Sequence, residues 1–211
     1  MAAEMECLVL VKGRYTYSGG DHLKLPKPIK ICGQGIGETI LDGFGLGVDC
    51  WLAHGGSKSN GFVVIEDLSI QGGMTGLHAH CISTKPPLHR LTVRRCNVEK
   101  CECNGVNVIH AHISCEDVQV VGCGHSGVIA QDGGTVKFSG ENTRIEGNVT
   151  GGDDDGPGGG GGDWRGRYGL HAFHDDAKIQ IVTPLTKDSI SINNGGSGNW
   201  GGNGTIEQVS A

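Results

Sequence analysis

The sequence predicts an all-β solenoid: short parallel strands wound into about seven coils of three strands each. Three observations carry that expectation. Glycine supplies 39 of the 211 residues and is spread along the whole chain, well above the usual share of about 7%, so tight turns or closely spaced backbones must recur. The segments "GVDCW", "GLHAH", "GVNVI", "GVIAQ" and "GLHAF" begin at Gly47, Gly76, Gly105, Gly127 and Gly169. In each, the residues one and three places past the glycine are small or apolar, which marks a strand with one buried face.

Each coil opens with an apolar strand, seen as "VVIED" from Val63, "LTVRR" from Leu91, "ISCED" from Ile113 and "VKFSG" from Val136. A second strand follows, with inward pairs Thr39/Leu41, Leu68/Ile70, Cys96/Val98, Val118/Val120 and Thr143/Ile145. The glycine strand comes third. The glycines are 29, 29, 22 and 42 residues apart. The long last interval contains the Gly/Asp-rich insert "TGGDDDGPGGGGGDWRG", Thr150 to Gly166, and excising it restores the coil length. A solenoid buries its apolar columns only by stacking coil on coil, so one parallel β-helix domain over 1–211, with a glycine-rich loop at 150–166, is expected. An antiparallel sandwich would not keep these columns in register across the insert.

The opening stretch "LVLVKGRYTYSGGDHLKLPKPIKICGQGIGETILDG" contains Gly13-x-Tyr15, Lys27-Pro28-Ile29, Gly33-x-Gly35 and Thr39-Ile40-Leu41-Asp42-Gly43. These residues resemble the first coils of the pectin-lyase-like superfamily of β-helix repeat proteins. The resemblance implies a right-handed parallel β-helix. It implies less about activity, because that superfamily holds polysaccharide lyases, hydrolases and epimerases beside non-enzymatic recognition modules.

A formal charge of −6 and a pI near 5.9 leave no electrostatic footprint for nucleic acid. No stretch approaches the roughly 20 apolar residues of a membrane-spanning helix. Nine cysteines are an odd number, and several occupy core positions, so Cys50, Cys96 and Cys115 read as reduced core residues rather than a disulfide framework. With no basic, apolar leader at the first residues, an intracellular setting is expected, and secretion only if a leader has been trimmed. In that case the sequons at Asn148 and Asn203 would matter.

In this register, positions two and four past each glycine point outward. The first column reads Asp49, His78, Asn107, Ile129 and His171, the second Trp51, His80, Ile109, Gln131 and Phe173. His110, Asp132 and His174 lie just beyond, near the following turn. Polar groups mixed with aromatic rings suit a glycan or protein partner, so Asp49, Trp51, His78, His80, Asn107, Gln131, Asp132 and Phe173 are the candidate binding residues.

His78-x-His80, His110-x-His112 and Cys101-x-Cys103 each amount to half of a tetrahedral zinc site, and no metal or cofactor is assigned to them. The catalytic alternative is a lyase or epimerase acting on an anionic, uronate-containing polysaccharide. Such chemistry needs a base, an acid and a cation facing the carboxylate, and His171, His174, Tyr168 and Arg167 are the candidates. "RYGLHAFHDD" loosely resembles the Tyr-Gly-x-Asp-Pro-His-Asp signature of alginate epimerases, but lacks its central carboxylate. Neither outward column offers Lys or Arg, so non-catalytic binding or scaffolding is the favoured expectation. No capping helix is visible at either end, and association through exposed terminal coils is expected.

Overall fold

A computed structural model describes residues 5–17, 22–25, 28–49, 62–81, 90–151 and 167–211. Coil one holds β1 (Glu6–Val9), β2 (Gly13–Thr16) and β3 (His22–Lys24). Coil two holds β4 (Ile29–Cys32), β5 (Thr39–Asp42) and β6 (Gly45–Asp49). Coil three holds β7 (Phe62–Glu66), β8 (Ser69–Gln71) and β9 (Leu77–His80). Coil four holds β10 (Arg90–Arg94), β11 (Asn97–Glu99) and β12 (Val106–Ile109), and coil five β13 (His112–Glu116), β14 (Gln119–Val121) and β15 (Val128–Gln131). Coil six holds β16 (Thr135–Ser139), β17 (Arg144–Glu146) and β18 (Tyr168–Ala172). Coil seven holds β19 (Lys178–Val182), a single helical turn α1 (Lys187–Ile190), β20 (Ser191–Ile192) and β21 (Gly198–Gly201), and β22 (Thr205–Val209) begins an eighth.

Every third strand pairs, always in parallel. Sheet one runs from β1 through β4, β7 and onward to β22, sheet two from β2 to β20, and sheet three from β3 to β21. The chain is a parallel β-helix.

The expected inward columns hold. Val63, Leu91, Ile113 and Val136 are paired neighbours in sheet one, as are Leu41, Ile70, Val98, Val120 and Ile145 in sheet two, and all are buried. Cys96 and Cys115 are buried core residues, while Cys50 lies outside the described residues. Corners between sheets one and two turn on left-handed residues at Asp67, Arg95 and Asp117, a bend that a single αL residue makes.

The register of coil two needs correcting. Leu46, not Val48, pairs with Leu77, and Asp49 pairs with His80 rather than His78. "GLGVD" carries two glycines two residues apart, and a slip of two preserves which side chains face inward. The hydrophobic pattern therefore cannot choose between them. Trp51 lies outside the described residues.

The repeated glycines have a packing cause. Gly76, Gly105, Gly127 and Gly169 do not adopt a positive φ. A Cβ there would strike the side chain that the next coil places at the same turn: Cys101 Sγ at 3.0 Å from Gly76, Cys123 Sγ at 3.1 Å from Gly105, Asn148 Nδ2 at 2.7 Å from Gly127, and Asn194 Nδ2 above Gly169. These turn residues form an internal ladder. Asn148 Oδ1 accepts from Cys123 N at 3.0 Å, and its Nδ2 donates to Val120 O at 2.9 Å and to Asn194 Oδ1 at 3.0 Å. Asn194 Nδ2 donates in turn to Ile145 O at 3.0 Å. Asn148, read above as a sequon, is thus a buried structural amide with 1% exposure.

Asn148→Ala would orphan the Cys123 N–H and the Val120 carbonyl, so a loss of about 2 kcal/mol is expected in urea unfolding. A change below about 0.5 kcal/mol would show the ladder to be idle.

α1 is the one helix among the described residues, a single turn with a Thr186/Ser189 capping box that buries Ile190. Beside it, Trp200 Nε1 donates to Asp188 Oδ1 at 3.0 Å and Lys187 Nζ lies 3.3 Å from the Trp200 ring centroid. At the other end, Leu8, Val9 and Val11 are exposed. No described helix is long and apolar enough to cross a membrane.

Candidate functional site: the outer face of sheet three

From coil three onward the two columns keep the expected register, but Ile129, Gln131, His171 and Phe173 are buried rather than open to solvent. His78, Asn107, Ile129 and His171 are successive partners, as are His80, Ile109 and Gln131. Phe173 continues the second column, its N–H bonded to Ala130 O at 2.9 Å. His78 and His80 are half-buried, with ring centroids 6.0 Å apart at 71°. Asn107 Oδ1 accepts from Gln131 Nε2 at 2.9 Å, locking two amides across adjacent coils.

The strongest convergence is at β18. Tyr168 packs edge-on against His171 at 5.2 Å, His171 against Phe173 at 5.3 Å, and Phe173 against His174 at 4.3 Å. His171 points outward from the strand yet is only 3% exposed. The cause lies in the following coil. Gly201 pairs with His171, and the Tyr168 ring occupies the space a Cβ at Gly201 would need. A Cβ at Gly202 would come within 3.0 Å of His171 Cδ2. The glycines of "GNWGGNG" therefore let the β18 rings lean over the final coil and close upon one another.

Ser126, which sequence reasoning missed, completes this cluster. Its Oγ accepts the Tyr168 N–H at 3.3 Å and lies 3.4 Å from His171 Nδ1. The hydroxyl can still donate to Nδ1 or accept from it, and either tautomer of the imidazole keeps this contact. Burial, and then the charge of His174, hold the His171 imidazole down at about 4, so the ring is neutral at pH 7. The only signal for Ser126 was its place before Gly127, in a turn rather than in either outward column.

His110, Asp132 and His174 occupy the same turn in successive coils, following the paired Ile109, Gln131 and β18 positions. His174 Nδ1 lies 2.7 Å from Asp132 Oδ1, an ion-pair distance off the line of a good hydrogen bond, with both side chains 43% exposed. His110 adopts φ 51° in that turn while His112 opens β13 in sheet one, so they do not share a strand face as a chelating pair would. Cys101 is buried, its thiol directed to Glu99 O at 3.8 Å. Among the described residues, no group of three or more His, Cys, Asp or Glu is placed to hold a metal ion.

Burial pushes the Cys103 thiol up, and the charge of Arg167 opposes that push. His78 and His171 are three strand spacings apart, roughly 14 Å. The candidates therefore form a row with one dense end at Tyr168, His171, Phe173, His174, Asp132 and Ser126. The side chain of Asp49 and the whole of Trp51 lie outside the described residues.

No protein-family model and no curated protein matches the chain. Among solved structures, the A-module of the Azotobacter vinelandii mannuronan C-5 epimerase AlgE4 aligns over 100% of this chain and 92% of that one. The identity is 13% and the TM-score 0.37. Both values are too low to transfer a substrate or a residue's role.

Proposed function

We propose that this β-helix binds a glycan without transforming it, laying the ligand along the outer face of sheet three. The observation that carries the reading is the state of His171: it sits in the densest part of the row but is buried, neutral and already hydrogen-bonded. A general base must come within about 3 Å of the proton it removes, and this imidazole is walled off by Tyr168 and Phe173. What the face offers outward is recognition chemistry: the half-buried Tyr168 ring, the half-buried Asn107 amide braced by the buried Gln131, the half-buried His78 and His80 imidazoles and the Asp132–His174 pair.

A second reading is a lyase or epimerase on an anionic polysaccharide. The observation favouring it is that Arg167, Tyr168, His171 and His174 come from one strand and its immediate flanks. It is also the class of activity named for the Azotobacter module.

Both readings meet in one experiment. Purified chain is screened on a glycan array and incubated with a panel of uronans, following unsaturated-uronate absorbance and uronate composition. Binding without turnover, weakened about tenfold or more by Tyr168→Ala, is the expected result. Turnover of any uronan, lost in His171→Ala, replaces the first reading with the second. Failure to bind any glycan overturns it.

A further inference from the structure

We draw no further inference here: the strongest candidate, the apolar end of coil one where Leu8, Val9 and Val11 are exposed, carries none because nothing in the structure shows what covers it.

Discussion

Gly127→Ala is expected to lower stability by about 3 kcal/mol, among the largest effects of any single methyl group in this chain. A Cβ at Gly127 would stand 2.6 Å from Ile145 Cγ2, 2.7 Å from Asn148 Nδ2 and 2.9 Å from Gly169 O. None of the three can yield cheaply. Ile145 is a fully buried column residue, Asn148 is fixed by hydrogen bonds on three sides, and Gly169 O belongs to the backbone of the adjoining coil. Gly147→Ala supplies the contrast. There φ is +61° and nothing lies within 4 Å of the added Cβ, so only left-handed strain of about 1 kcal/mol is expected. Urea unfolding of both variants separates packing from conformation. Equal losses would mean that Gly127, too, is retained for backbone freedom alone.

That result bears on how the fold could be read at all. The glycine column was visible because each coil needs the same close approach at the same place, and a solenoid repeats one local solution. The inward columns were visible for a similar reason, since period-2 burial survives any number of coils. What escaped the reading depends on a single neighbouring coil. In "GLGVD", choosing between Gly45 and Gly47 was beyond the alternation of side chains, and Asp49 was therefore set opposite the wrong histidine. The outward direction of His171 was legible from its register; its burial was not. Burial is set by Gly201 and Gly202, about thirty residues further along, whose missing side chains give the Tyr168 ring and the His171 imidazole their room. The buried role of Asn148, matched only as a sequon, was hidden for the same reason, because its partners Cys123, Val120 and Asn194 come from the coils before and after its own.

The burial of His171 makes the second large prediction, a loss of stability in mild acid. In the unfolded chain a histidine titrates near 6.5; in the folded protein this imidazole is held at about 4, first by burial and then by the charge of His174. Between those values the unfolded state binds a proton that the folded state refuses, so stability must fall as the pH falls. The contribution is intact above about pH 6.5 and gone by about pH 4. It corresponds to about 3 kcal/mol over that window. Asp42, Glu66 and Asp67, whose carboxyls are held below their usual range by hydrogen bonds from Arg14, Lys30 and Arg95 respectively, lose their contributions lower, as the pH drops through the carboxylate range. His171→Gln keeps a side chain able to hydrogen-bond to Ser126 but has no proton to gain. The variant's stability should therefore be flatter than the unaltered chain's between pH 6.5 and 4, with the two curves running parallel above it. NMR titration of the His171 ring gives the direct check. A midpoint near 6.5 would mean that the imidazole meets solvent, and a solvent-facing neutral imidazole beside Tyr168 would return to the epimerase reading the base it lacks.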